Sequence, residues 1–236
     1  MLAASFVLTF GPACAQPVSD WSGFRAGLLA GVGFGSHTDS HSGLPAGPSA
    51  NGDYSLGRSM GGWQAGATAG YFWQQGALVE GVELDAAASN VGGAMRIGGV
   101  ARRDGSGANP ANFLAMREHV DTMIDVRATI GFAVSRHFLP YLTGGWMYHH
   151  GRYGGQFQDA TPNDFVVLDG AGRSGWTLGA GIACQFRRDW VFKVDYLYYN
   201  VGNHAALSNT IGGLQSAFAF EGTGGLLRLA LTYRVP

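Results

Sequence analysis

Apolar and polar side chains alternate with a period of two residues along much of the chain. The segment from Trp176 to Tyr199 shows this alternation most clearly, with one face formed by Trp176, Leu178, Ala180, Ile182, Cys184 and Phe186. After the triplet Arg187, Arg188 and Asp189 the alternation resumes from Trp190 to Tyr198. A period of two residues predicts β-strands, so this segment is predicted to form a hairpin with a tight turn at the triplet. A hairpin of a soluble β-sandwich would alternate in the same way.

The same pattern predicts eight strands of roughly 10 to 12 residues, the length that a tilted strand needs to cross a bilayer. Short turns are predicted at 74–76, 135–137 and 187–189, and long connections at about 35–61, 89–118, 150–174 and 200–224. This strict alternation favours an up-and-down barrel over a sandwich. The predicted fold is therefore all-β: an eight-stranded antiparallel transmembrane β-barrel with four long extracellular loops and three short periplasmic turns.

The predicted outward faces carry aromatic residues at their ends and aliphatic residues between them. Aromatic belts at the two membrane interfaces are typical of outer-membrane barrels. The predicted belt residues are Trp63, Tyr71, Trp73, Trp146, Tyr148, Trp176, Phe186, Trp190, Tyr196, Tyr198 and Tyr233. Glu80 is the only charged residue among the predicted outward positions.

Composition narrows the possible classes of protein. The chain is 46% apolar and 13% charged, which is low in charge for a soluble domain, and no apolar run reaches the ~18 residues of a membrane helix. With a net charge of -1, one lysine and scattered arginines, no nucleic-acid partner is predicted. Residues 1–15 end in Ala13-Cys14-Ala15 and are predicted to be a signal peptide, which leaves 16–236 as the barrel domain.

Charged residues at the predicted inward positions form a balanced set of four bases and four acids. The interior of an eight-stranded barrel is just wide enough for side chains to fill it, and buried charges must be paired. The set is therefore predicted to be a structural ion-pair cluster, with a narrow polar path for ions or small solutes as the alternative. Its members are Arg25, Glu83, Asp85, Asp125, Arg127, Lys193, Asp195 and Arg228.

Five segments in this order resemble the small outer-membrane "porin family" barrels of the opacity and immunogenic-protein type. They are WSGFRAGLLAGVGFG, GWQAGATAGYFWQQGALVEGVELD, DVRATIGFAVSRHFLPYLTGGWMY, GWTLGAGIACQFRRDWVFKVDYLYYN and LRLALTYRV. The resemblance implies location in the bacterial outer membrane, contact with its lipid and lipopolysaccharide, and insertion by the barrel assembly machinery. Such barrels usually end in an aromatic residue, whereas this chain ends in Val235-Pro236.

The candidate chemistry is sparse. No predicted outward strand position is a histidine that could serve a lipid hydrolase, so no catalytic site, metal or cofactor is predicted. Three histidines lie near the predicted outer rim: His119, His149 and His150. They either bind a metal or haem or are ordinary surface histidines. Arginines of the second loop either meet lipopolysaccharide phosphates or are simply solvated: Arg96, Arg102, Arg103 and Arg117.

The predicted function is that of a non-enzymatic outer-membrane surface protein, structural or adhesin-like, whose loops form the interaction surface for a ligand that the sequence does not identify. A narrow porin and a haem- or ligand-binding receptor are the alternatives. Glu80 is predicted either to be tolerated near the periplasmic interface or to face a second copy in a homo-oligomer.

Overall fold

The computed structural model describes residues 20–44, 54–99, 109–158, 165–207 and 215–236. The predicted signal peptide and the arginines at 102 and 103 lie outside these residues. The described chain forms eleven strands: β1 (Gly23–Leu44), β2 (Tyr54–Gln75), β3 (Leu78–Ser89), β4 (Gly92–Gly98), β5 (Phe113–Phe132), β6 (Phe138–Gln158), β7 (Phe165–Arg187), β8 (Trp190–Asn200), β9 (His204–Leu207), β10 (Gln215–Phe220) and β11 (Thr223–Arg234). No helix among the described residues is long and apolar enough to cross a membrane.

Eight of these strands form a closed antiparallel ring, in the order β1, β2, β3, β5, β6, β7, β8 and β11. Pairing of β11 with β1, from Arg25 opposite Arg234 to Phe34 opposite Gly225, closes the ring. Tight connections join β2 to β3, β5 to β6 and β7 to β8, and Gly76 in the first of them adopts a φ of 63°, which favours glycine. The predicted eight-stranded up-and-down barrel is confirmed.

Five of the eight ring strands are about twice as long as predicted. β1 and β2 have 22 residues each, β5 has 20, β6 has 21 and β7 has 23. Much of each predicted long loop is therefore strand, and the predicted loop bounds are wrong. Beyond the outer aromatic belt the outward face meets water, so it no longer needs apolar residues and the contrast between the two faces disappears.

One register shift changes the side to which two predicted residues point. A β-bulge between Val120 and Thr122 interrupts the pairing of β5 with β6. Val120, predicted outward, is therefore fully buried inside, and Asp121, predicted inward, is on the outer surface with a side chain 32% exposed. A bulge adds one residue to a strand, and a shift of one residue exchanges the two faces.

The strands continue beyond the outer aromatic belt as a structure that we call the collar, formed by the described residues of 35–61, 89–120, 149–175 and 200–224. In the collar the ring divides into two four-stranded sheets. β4, β5, β6 and β7 form one, which we call sheet A, and β2, β1, β10 and β9 form the other, sheet B. Within the described residues, β2 pairs with β4 only at Gly61 and Gly92, and no register joins β7 to β9. Two seams therefore separate the sheets.

The interior alternates between apolar and charged layers along the barrel axis. At the periplasmic end an apolar layer includes Trp21, Phe72, Leu139 and Tyr141. The predicted ion-pair cluster lies next to it. An apolar layer with Met123, Met147 and Leu197 follows, then a second charged cluster, and the layer in the outer part of the collar contains Leu114, Met116, Tyr153, Phe218 and Phe220. The lumen is thus filled with side chains.

Candidate functional site

The membrane-level lumen holds an ion-pair network centred on Arg127. Its guanidinium lies 2.5 Å from both Asp125 Oδ1 and Asp85 Oδ2, and 3.8 Å from Glu83 Oε2. It also donates a hydrogen bond to Thr143 Oγ1 at 3.3 Å. Arg127 has a relative exposure of 1%, so water contributes almost nothing to balancing this charge. The three carboxylates therefore provide its stabilisation.

Arg228 and Lys193 extend the network to the opposite wall. Arg228 lies 2.9 Å from Asp85, 3.3 Å from Asp125 and 2.8 Å from Asp195. Lys193 forms an ion pair with Glu83. The structure thus brings seven of the eight predicted lumen residues together, as four acids and three bases.

Arg25, the eighth predicted member, lies apart from this network. It is buried, donates a hydrogen bond to the carbonyl of Trp21 at 3.4 Å and places its guanidinium 5.8 Å from the centre of the Trp21 ring. Arg25 faces Arg234 across the β1–β11 ladder, whereas Arg228 faces Gly31. On this ladder Arg25 therefore lies six residues nearer the periplasmic end than Arg228, beside Trp21 of the apolar layer.

A glycine makes room for the tyrosine that completes the network. Tyr141 of the periplasmic apolar layer donates a hydrogen bond to Asp195 Oδ2, with a donor–acceptor distance of 2.9 Å. A Cβ atom on Gly181 would lie 2.6 Å from Tyr141 Cζ and 2.7 Å from Asp195 Cβ, closer than real carbon atoms approach. Glycine is therefore required at 181 for this packing.

A second buried charged cluster, which the sequence did not predict, joins the two sheets of the collar. Arg58 of sheet B lies 2.6 Å from Glu118 Oε2 of sheet A and 2.7 Å from Asp39 Oδ2 of its own sheet. It also donates to the carbonyl of Gly93 at 3.2 Å, across the β2–β4 seam. Arg58 therefore joins the paired strands β1 and β2 to the paired strands β4 and β5, across a seam that the described backbone bridges only at Gly61 and Gly92.

The two carboxylates of this cluster have opposite pKa shifts. Burial alone would raise the pKa of Glu118, but hydrogen bonds from His37 and Arg58, together with the charge of Arg58, hold it below its ordinary value. Burial dominates at Asp39 and raises its pKa, although Arg58 opposes the shift. The charged form is thus stabilised more strongly at Glu118 than at Asp39.

Arg173 performs the corresponding role at the other seam. From β7 it donates to the carbonyl of Gly202, and to that of Phe220 at 3.2 Å. Its guanidinium is also 3.9 Å from Glu118 Oε1, so the two seam arginines meet at one carboxylate. Arg58 and Arg173 lie in segments that were predicted to be loops. Without a predicted strand there, the alternation of inward and outward residues could not be applied to them.

The three predicted rim histidines do not converge. His149 is buried and hydrogen-bonded to Tyr153 through Nε2 at 3.1 Å, while His119 and His150 are on the outer wall. Burial and the charge of Arg173 lower the pKa of His149 to about 4, so it is neutral in neutral solution. Among the residues described, no group of three or more histidine, cysteine, aspartate and glutamate side chains is placed to hold a metal.

The lengthened strands add outward histidines beyond the predicted strand positions, none of which is a histidine. The lengthened β5 and β6 carry His119 and His150 outward. His119 Nε2 lies 3.1 Å from Asp121 Oδ1, and no serine hydroxyl in the described part of the chain is hydrogen-bonded to either imidazole.

The predicted aromatic belt residues all face outward and form two bands. Neighbouring rings contact one another, with centroid separations of 6.1 Å for Trp146 and Tyr148 and 5.1 Å for Trp190 and Tyr233. Ten residues separate Trp63 from Trp73, which is about 25 Å along the axis of a barrel with tilted strands. That spacing matches the apolar band of an outer-membrane barrel. The belt residues are Trp63, Tyr71, Trp73, Trp146, Tyr148, Trp176, Phe186, Trp190, Tyr196, Tyr198 and Tyr233.

Glu80 lies in the periplasmic belt rather than in the aliphatic middle of the wall. It faces Trp73 across the β2–β3 ladder and accepts a hydrogen bond from Trp73 Nε1 at 3.0 Å. A carboxylate at the interface costs about 0 to 1 kcal/mol, and the indole N–H offsets part of this cost. This contact favours the expectation that Glu80 is tolerated there without a protein partner.

Replacing Glu80 with leucine is expected to leave the barrel monomeric and equally stable or up to about 1 kcal/mol more stable, because an interfacial charge is removed. Trp73→Phe, which removes the hydrogen-bond donor and keeps the carboxylate, is expected to lower stability by about 1 kcal/mol. Urea unfolding in lipid vesicles measures both effects. Loss of a cross-linked dimer in Glu80→Leu would instead assign Glu80 to an interface.

The comparisons with known proteins agree with this geometry. The family model described as "Outer membrane protein beta-barrel domain" matches residues 2–220. The chain is 26% identical over 223 residues to the 31 kDa outer-membrane immunogenic proteins of Brucella melitensis biotype 1 and Brucella suis biovar 1, covering 93% of this chain and 87% of each relative.

Among solved structures, the outer membrane protein OprG from Pseudomonas aeruginosa matches with a TM-score of 0.54 at 12% identity, covering 92% of this chain and 99% of that one. Neisserial surface protein A matches with a TM-score of 0.40 at 15% identity, covering 91% and 98%. At these identities the likeness to OprG concerns the fold alone. The closed ring, the two aromatic bands and the family match together show that this chain is a member of the outer-membrane β-barrel protein family, located in the bacterial outer membrane.

Proposed function

We propose that this protein is a non-enzymatic surface protein of the outer membrane, in which a plugged barrel anchors a rigid collar that presents the loops for adhesin-like contacts. The observation that carries the proposal is the filling of the lumen by alternating apolar and ion-paired layers. A transport protein of this width would need a continuous wet path. Here the side chains occupy that path at several successive levels.

The membrane-level part of the lumen leaves little space for a solute. Beside the ion-pair network lies a cavity of about 20 Å³, lined by Phe72, Glu83, Tyr141 and Lys193 among others. That volume holds about one water molecule. An ion crossing this level would have to separate buried ion pairs that are short and nearly dry. The packing thus supports a closed barrel over the narrow pore.

The collar supports a role in surface contact. β5 and β6 each continue about ten residues beyond the outer belt, which lifts their ends about 25 Å above the lipid boundary. The collar has its own apolar core, with Leu114 and Phe218 completely buried. A raised platform with its own core that carries the connecting loops is suited to presenting an interaction surface outside the cell.

Single-channel recording of the refolded protein in planar bilayers tests the proposal. We expect no conductance steps above the bare bilayer, because the ion-pair network and the periplasmic apolar layer close the lumen. The matched positive control is Phe72→Ala/Tyr141→Ala, which removes two rings from the periplasmic layer and is expected to produce measurable steps. Steps of equal size in the parent protein would refute the closed barrel and favour the narrow porin.

A further inference from the structure

A groove runs along the outer wall of sheet A, directly above the outer aromatic belt. Its floor is a row of register partners across four strands, in which Gly92 of β4 faces His119 of β5, His119 faces Arg152 of β6, and Arg152 faces Gly170 of β7. Arg117, the next outward residue of β5, lines the groove one row further from the membrane. The groove has a volume of about 880 Å³.

The charges of the groove are arranged to receive an anion. Arg117 and Arg152 are both exposed, with the Arg152 side chain 70% accessible. Asp121 accepts two hydrogen bonds from Arg152, at 2.9 and 3.2 Å, and lies 3.1 Å from His119 Nε2. The exposed charges, two arginines and one carboxylate, leave a formal charge of +1 with histidine counted as neutral, while the lining carboxylate Glu118 is buried and paired with Arg58. Because Asp121 holds the guanidinium group of Arg152 in place, less side-chain entropy is lost when a ligand binds.

The height of the groove above the membrane indicates which anionic groups lie beside it. Along β6 the outward residues are Trp146, Tyr148, His150 and Arg152, so Arg152 lies four residues above the belt tyrosine. Four residues of a tilted strand correspond to about 10 Å along the barrel axis. Belt aromatics mark the headgroup level, and the polar region extends about 5 to 8 Å beyond the hydrocarbon on each side. The groove therefore opens at the headgroups of the outer leaflet and just above them.

We propose that this groove binds a phosphate group of lipopolysaccharide, with Arg117 and Arg152 as the phosphate ligands. Guanidinium groups form paired, charge-assisted hydrogen bonds with phosphate oxygens. Gly170, opposite Arg152 in the floor, leaves space for the sugar that carries the phosphate. At Gly170 a Cβ atom would meet nothing within 4 Å, which shows that the groove is open on that side. The proposal is independent of whether the lumen conducts.

The test compares lipopolysaccharide binding by the refolded protein in nanodiscs for the parent and three variants. Arg117→Gln/Arg152→Gln removes the two cations, and is expected to weaken binding about 10- to 100-fold, since hydrogen bonds to charged groups are lost. Gly170→Leu keeps both arginines and fills the groove, and is expected to weaken binding about tenfold. Arg187→Gln/Arg188→Gln removes the same charge at the periplasmic turn, and is expected to bind like the parent.

Two ligand controls identify the recognised group. Lipopolysaccharide from which the phosphates have been removed is expected to bind the parent as weakly as intact lipopolysaccharide binds Arg117→Gln/Arg152→Gln. Inorganic phosphate alone is expected to compete poorly, because it lacks the sugar and the acyl chains. Equal binding of the dephosphorylated lipid, or equal binding by parent and double variant in protein that still shows the folded gel mobility, would overturn the proposal. Inorganic phosphate that binds as tightly as lipopolysaccharide would overturn the lipid assignment.

Discussion

Arg127→Ala is expected to lower the free energy of unfolding of the barrel by about 3 to 5 kcal/mol, because it leaves buried carboxylates without their principal cation. Asp125 would keep only Arg228, at 3.3 Å, and the network would hold four acids against two bases. Urea unfolding in lipid vesicles, followed by tryptophan fluorescence, measures the change.

The matched double variant separates lost charge from lost volume. Arg127→Ala/Asp125→Ala removes one of the stranded carboxylates, which restores the balance to three acids against two bases. If the electrostatic cost dominates, the double variant should recover about half of the stability lost in Arg127→Ala. A double variant that is less stable than Arg127→Ala would mean that cavity formation, rather than the unpaired charge, controls the effect.

Arg58→Ala is expected to open the collar while the membrane barrel stays folded. The variant leaves Glu118 and Asp39 buried without the cation that lies 2.6 and 2.7 Å from them, at a local cost of about 3 to 5 kcal/mol. Hydrogen exchange should therefore accelerate about 100- to 4000-fold in Gly92–Gly98 and in residues 113–120. Exchange in the membrane segment of β7, residues 176–186, should not change.

Arg96→Ala is the control for the Arg58 experiment. Arg96 is an exposed collar arginine that lies 3.8 Å from the centre of the Phe113 ring, a contact worth about 0.5 to 1 kcal/mol at an exposed site. Its removal should change collar exchange by only a few fold. Equal exchange in the Arg58 and Arg96 variants would show that Arg58 does not hold the sheets together.

The membrane part of the fold could be predicted from the sequence because lipid imposes an apolar outward face on each strand. The collar could not, because that constraint ends at the belt. Along β1 beyond Phe34, the outward residues Ser36 and Thr38 and the inward residues His37 and Asp39 are all polar, so neither face stands out. The polar inward residues there face another polar cluster, which only the paired sheets reveal.

The membrane-level network was visible in the sequence because charged residues are conspicuous in otherwise apolar strands. Its pairing was not, since Asp85 meets cations that lie 42 and 143 residues further along the chain, at Arg127 and Arg228. Arg25 was assigned to the network because the sequence predicted that it points inward but did not predict its position along the barrel axis. The bulge at Val120 has no local sequence signal such as a glycine, so the outward position of Asp121 depended on the observed register.

The seams of the collar also affect how neighbouring copies behave in a crowded membrane. A closed ring has no free strand edge, but each seam exposes backbone groups that could pair with a strand of another molecule. Arg58 and Arg173 donate to carbonyls of Gly93, Gly202 and Phe220 at these edges, so side-chain N–H groups take the place of the missing ladder. These bonds leave fewer free carbonyl acceptors at the seams for a strand of another molecule to pair with.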